Sequence, residues 1–261
     1  ATTAGRGMLW DDSDVQRPRP LGAVSDTPIV FSPNGRLLAG TSGVWDVADP
    51  VRPRLLLRFT GSQTNGLVAF SPHSDVLAVA GSGPEGSSVV LWNLRDPARP
   101  RIAGSLPVPA SQLAFLPHSP ILATITFSGS VRLWNVADPA TPRAIAGLTG
   151  MQVTDQQLLV SPDGTTLAIA GTDSTTQLWN IADPTSPTLR AVLTDATPEA
   201  FDPTGQTLAV LATDGSVRLR DVAEKPVIAQ ICQSTPVIDP ATWQRYAANV
   251  RYRPICPPRS G

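Results

Sequence analysis

The sequence predicts an all-β protein built from repeated four-stranded sheets, and three observations carry that expectation. A strand-then-turn pattern recurs five times, a tryptophan strand recurs five times with a proline at a fixed distance behind it, and short apolar runs separate the two. Internal periods of this kind outrank local propensity as a guide to fold.

The turns are Phe31-Ser32-Pro33-Asn34-Gly35, Phe70-Ser71-Pro72-His73-Ser74, Phe115-Leu116-Pro117-His118-Ser119, Val160-Ser161-Pro162-Asp163-Gly164 and Phe201-Asp202-Pro203-Thr204-Gly205. Their spacings are 39, 45, 45 and 41 residues, the length of one four-stranded unit. Each turn leads into a small apolar run, such as Val76-Leu77-Ala78-Val79 or Leu208-Ala209-Val210-Leu211. Such runs do not alternate with polar residues, as expected of strands covered on both faces.

The third element carries the tryptophan, at Trp10, Trp45, Trp92, Trp134 and Trp179. In the last unit Arg220 stands where the tryptophan belongs. Eight residues after each tryptophan comes a proline, at Pro18, Pro53, Pro100, Pro142 and Pro187. Four of these units also hold Asp-Pro, at Asp49-Pro50, Asp96-Pro97, Asp138-Pro139 and Asp183-Pro184. Proline cannot donate to a ladder, so it marks the turn and the start of an outer edge strand.

These three motifs at this period resemble WD40 repeats across almost the whole chain. The resemblance implies a WD40-type β-propeller with five complete four-stranded blades, about 24–62, 63–107, 108–150, 151–195 and 196–232. Residues 1–22 supply only a partial N-terminal blade, and 233–261 a C-terminal tail with a short helix. Half a blade cannot bury its faces, so the expectation is that the natural protein continues N-terminally. The Asp-Pro-x-x-Pro insertion is similar to one found in large actinobacterial multidomain regulators, where the propeller follows a helix-turn-helix, NTPase or kinase module. One lysine, Lys225, among 20 basic residues agrees with a high-GC coding sequence.

WD40 blades often carry Gly-His before the first strand, the histidine joining a hydrogen-bonded network with the tryptophan. Here Gly61 is followed by Ser62 and Gly150 by Met151. Blades are therefore expected to hold together mainly by apolar packing.

The tail begins with Asp239-Pro240, a good helix start. Trp243, Tyr246 and Ala247 would share one helical face. Arg245, Arg251, Arg253 and Arg259 read either as an anion or nucleic-acid patch or as solvated side chains of a tail lying on the propeller, and the near-neutral overall charge favours the second. Cys232 and Cys256 are the two cysteines. As a disulfide they would staple the tail to the final blade and imply an extracytoplasmic location on a membrane-anchored protein. As separate thiols they fit the cytoplasm.

Composition excludes several classes. With 41% hydrophobic residues, 16% charged, 27 Pro and 20 Gly, the chain reads as folded and turn-rich. A net charge of −1 provides no field for nucleic acid or an anionic membrane. No apolar stretch approaches the roughly 18 residues of a membrane span. His73 and His118 occupy one repeat position and read as turn residues. Gly81-Ser82-Gly83-Pro84-Glu85-Gly86 lacks the lysine of a phosphate loop and reads as a longer turn between two strands. Asp49, Asp96, Asp138 and Asp183 lie on different blades, so turn capping explains them better than calcium.

No catalytic, cofactor-binding or metal site is expected, and no cofactor. The expected function is a non-catalytic scaffold or sensor that binds a protein or small ligand, its partner unknown, without nucleic acid and with upstream domains on the same polypeptide. A propeller enzyme with a channel-lining active site is the alternative, and it would need convergent acid, base or metal residues at the inner strands.

Overall fold

The structure is a computed structural model that describes residues 7–59, 63–83, 86–148, 157–171 and 174–222. Among these residues the chain forms twenty-one strands in six antiparallel sheets, and no α-helix. Sheet 1 pairs β1 (Gly7–Asp11) with β2 (Arg19–Val24). Sheet 2 holds β3 (Pro28–Phe31), β4 (Leu37–Gly40), β5 (Gly43–Asp46) and β6 (Arg54–Arg58). Sheet 3 holds β7 (Gln63–Phe70), β8 (Val76–Gly83), β9 (Gly86–Asn93) and β10 (Arg101–Leu106). Sheet 4 holds β11 (Ala110–Phe115), β12 (Ile121–Thr126), β13 (Val131–Asn135) and β14 (Arg143–Leu148). Sheet 5 holds β15 (Leu158–Val160), β16 (Thr166–Ala170), β17 (Thr176–Asn180) and β18 (Thr188–Leu193). Sheet 6 holds β19 (Thr197–Phe201), β20 (Thr207–Leu211) and β21 (Val217–Asp221).

Every strand pairs with its sequence neighbour, so each sheet is a meander. The first strands lie beside one another in chain order, β3 by β7, then β11, β15 and β19. This is a propeller-like arrangement.

The core lies between the sheets. Five apolar clusters each join two consecutive sheets. Because strand side chains alternate, Leu77 and Val79 of β8 pack toward sheet 2 while Ala78 and Ala80 pack toward sheet 4. Both faces are therefore apolar, which is why the run shows no polar alternation. A fully buried leucine such as Leu77 or Leu133 contributes about 2–3 kcal/mol relative to exposure.

The tryptophan strand follows the same logic. Trp45, Trp92, Trp134 and Trp179 each face the preceding sheet, and the residue before each faces the next. Trp134 and Trp179 are buried, whereas Trp10, with no preceding sheet among the described residues, is 55% exposed. Leu219 of β21 faces the opposite way, where no following sheet is described, and is 72% exposed. Opposite each of these five tryptophans the outer strand shifts register by one residue, as at Leu133/Trp134. A bulge of this kind bends and twists the edge strand.

Two differences from sequence expectation stand out. Gly81, Ser82, Gly83 and Gly86 lie in strands, because β8 and β9 stay paired from Val76↔Asn93 to Gly83↔Gly86. Ladder bonds come from the backbone, so a Gly/Ser run supports pairing without side-chain packing. The first-strand turns also differ in phase. Gly35, Ser74, Gly164 and Gly205 take positive φ at one position, but in sheet 4 His118, one residue earlier, does so at φ 63°. Pro120 accounts for this, since the residue before proline is driven to extended backbone and Ser119 cannot be left-handed.

Candidate binding rim

A meander returns its first turn and its third turn to the same end of the sheet. Register pairs such as Leu37↔Asp46, Val76↔Asn93 and Ile121↔Asn135 place them side by side. The repeated turns therefore form one rim, built of 32–36 and 46–53 in sheet 2 and their equivalents in the other sheets.

The serine of the first turn organises it. Ser32 Oγ donates to Asn34 Oδ1 and accepts from Leu37 N–H, and Ser161 does the same with Asp163 and Thr166. Burial pushes upward on Asp163, but the hydrogen bonds from Ser161 and Thr165 outweigh it and hold the carboxyl below its usual range. In sheet 4 Leu116 replaces the serine, and Ser119 Oγ is buried with no hydrogen-bond partner among the described residues.

The third turn contains two successive side-chain caps. Asp46 accepts from Ala48 N–H, then Asp49 from Val51 N–H. Asn93 and Asp96, Asn135 and Asp138, and Asn180 and Asp183 repeat this pair. Short polar side chains that bond two residues ahead stabilise turns in this way. The residue after each tryptophan and the aspartate before each proline thus share one task. Among the described residues no three His, Cys, Asp or Glu side chains gather as a metal site.

The same turn clamps neighbouring sheets. Gly22 of β2 lies against the Pro50 carbonyl, and Gly104 of β10 against the Pro139 carbonyl, with no space for a Cβ at either. The Asp-Pro insertion of one sheet therefore seats on the outer strand of the sheet before it.

At the opposite end, tryptophans find partners that sequence reading missed. Asp26, only 4% exposed, accepts from Trp45 Nε1 at 3.3 Å, Thr41 Oγ1 at 2.9 Å, and the N–H groups of Thr27 and Ser42. Trp134 donates to Thr124 Oγ1 and Trp179 to Gln177 Oε1. So these blades combine apolar packing with a polar anchor for the indole. In sheet 6 Asp195 sits in the equivalent lead-in and accepts from Thr213 and Arg218 instead, and Arg220 is exposed. The signal in sequence was faint: Asp26-Thr27-Pro28 and Asp195-Ala196-Thr197-Pro198 just before a first strand.

The structure places Arg36, His73 and His118 exposed on the rim, with the two histidines on adjacent sheets. Cys232, Cys256 and the tail arginines lie outside the described residues. Among the described residues no helix is long and apolar enough to cross a membrane.

Residues 147–180 match the family described as WD domain, G-beta repeat, which spans β15 to β17. A functionally unknown protein from Desulfotomaculum acetoxidans superposes with TM-score 0.65 at 11% identity, over 85% of this chain and 77% of that one. A Bacteroides fragilis protein provisionally named 6-phosphogluconolactonase superposes with TM-score 0.60 at 15% identity, over 84% and 74%. At these identities the likeness shows the fold alone. No curated protein matches the chain. The one matched repeat and the likeness of the solved structures together support a WD40/propeller-like fold.

Proposed function

We propose that the chain is a non-catalytic binding platform whose first-turn and third-turn rim contacts a protein or small-ligand partner, as part of a larger bacterial regulator. The carrying observation is the division of labour in the turns. Their Asp, Asn and Ser side chains cap backbone while Arg36, His73 and His118 face solvent on a rigid frame. Loops held by a rigid scaffold are where recognition concentrates.

In this reading residues 1–232 are the propeller, with a partial blade at 1–22 and full blades at about 24–62, 63–107, 108–150, 151–195 and 196–232, and 233–261 form the tail. Trp10, Trp45, Trp92, Trp134 and Trp179 are structural. A disulfide between Cys232 and Cys256 would pin the tail and imply an extracytoplasmic location on a membrane-anchored protein, whereas separate thiols fit the cytoplasm. Alkylation without reductant followed by mass spectrometry tests the bridge, and two labelled thiols refute it.

The enzyme alternative has less support. The described side chains of the inner strands β3, β11, β15 and β19 include one ionisable group, Glu199. Substituting Arg36, His73 and His118, and separately exposed residues of the opposite rim such as Asp214, tests the platform against a partner identified by cross-linking. Loss of binding with the Arg36, His73 and His118 set supports it, and loss confined to the Asp214 set contradicts it. Binding that survives both sets overturns it.

A further inference from the structure

The rim carries a cleft of about 260 Å³ between sheets 2 and 3, lined by Asn34, Arg36 and Asp46 on one side and His73, Asp75 and Arg95 on the other. Comparing the repeats of this one chain separates structural positions from individual ones. Where Arg95 stands, sheets 1, 2, 4 and 5 have Ser13, Ala48, Ala137 and Ala182, and where Arg36 stands, sheets 3 to 6 have Asp75, Pro120, Thr165 and Gln206. Neither arginine is needed to build a turn, and both fall in the same cleft.

Their bonding leaves them available. The Arg36 guanidinium makes no hydrogen bond or ion pair to any described residue. Arg95 meets Asp75 at 3.6 Å with its side chain 68% exposed, an open pair of the kind that adds little to stability. Asp75 also accepts from Ser71 Oγ, and Asp46 from Ala48 N–H, so both carboxylates are fixed in place. The cleft thus offers two guanidinium forks flanked by two carboxylates and the ring of His73.

We propose that this cleft holds a carboxylate side chain of an acidic peptide segment on a partner protein, gripped by Arg36 and Arg95. Guanidinium groups match carboxylate geometry with paired N–H donors. The flanking Asp46 and Asp75 accept the N–H groups of the peptide backbone, which an inorganic anion lacks. They also repel a doubly charged phosphate more than a singly charged carboxylate. The proposal rests on the platform reading and gives it a site and a ligand chemistry.

The test uses dye-labelled Gly-Glu-Asp-Glu-Gly and its Gln/Asn counterpart, titrated with the full chain and followed by fluorescence anisotropy. Arg36→Thr with Arg95→Ala installs residues the chain itself uses at those positions in sheet 5, so the fold is preserved, and circular dichroism checks it. Arg143→Ala, an exposed arginine on the outer strand of sheet 4, is the control for diffuse charge. The expected result is saturable binding of the acidic peptide only, weakened at least about fivefold by the double variant and by raising salt from about 50 to about 300 mM, and unchanged in Arg143→Ala. Equal binding by the double variant, an equal loss in Arg143→Ala, displacement by inorganic phosphate at lower concentration than by acetate, or no saturable binding overturns the proposal. A partner that binds the rim yet ignores the double variant sinks this site and leaves the platform standing. Binding that maps to neither rim sinks the platform.

Discussion

Gly104 of β10 lies so close to the carbonyl oxygen of Pro139, in the third turn of the next sheet, that a side chain at Gly104 has no room. Gly22 stands in the same relation to Pro50. The insertion that punctuates the repeat is thus an inter-sheet contact, and the glycine is half of it.

Gly104→Ala forces the turn of sheet 4 away and destabilises by about 1–3 kcal/mol, in the range of other overpacking substitutions. Gly147→Ala, whose Cβ would meet nothing nearer among the described residues than the Val131 carbonyl at 3.9 Å, is neutral or slightly stabilising. Urea midpoints of the two variants check the contrast.

Asp26 collects four donors, among them the indole of Trp45. Asp26→Ala removes the shared acceptor of these part-buried bonds and costs about 1–3 kcal/mol, while Asp26→Asn, which keeps an acceptor, costs less. Thermal unfolding ranks the variants, and equal losses would mean that shape, not hydrogen bonding, is at stake.

His118 adopts φ 63° without the freedom of glycine. His118→Gly relieves that strain and stabilises by about 0.5–1 kcal/mol, net of the entropy glycine adds to the unfolded chain. Unchanged or lower stability in urea unfolding contradicts the account of the shifted turn.

Several aspartates have carboxyls held below their usual range. In Asp214 the cause is chiefly the Ser216 hydroxyl and N–H, with Arg218 added, and its pKa falls to about 2. Asp195 is lowered by the hydroxyl and N–H of Thr213, and Asp183 and Asp202 by their neighbouring threonines. A lowered folded-state pKa means stability that is full above the unfolded value of about 3.9 and is lost as pH falls toward about 2. Urea midpoints should be flat on this account from about pH 5 to pH 7 and decline below about pH 4. Asp214→Asn should shallow that decline.

What was legible in the sequence was whatever repeats. Phe-Ser-Pro-x-Gly fixed the turns because serine, proline and glycine each have one job there, and two-sided burial shows as unalternated runs such as Leu77 to Ala80. Contacts between units were not legible. Gly104 and Pro139 are on different sheets, and neither residue type announces the other. Asp26 was missed because a lone aspartate before Thr27-Pro28 looks like any turn residue until Trp45 is placed above it. The glycine-rich stretch at Gly81 misled because composition signals a loop, whereas backbone pairing continues through it.

The most direct test of the central claim is the amide hydrogen-exchange footprint of the chain bound to a partner captured by cross-linking from its source cells. The account predicts protection in the turns at 32–36, 46–53, 71–75 and 93–100, on one rim. Protection confined to the outer strands β6, β10 and β14, or to the opposite end around Asp26 and Asp214, would contradict it.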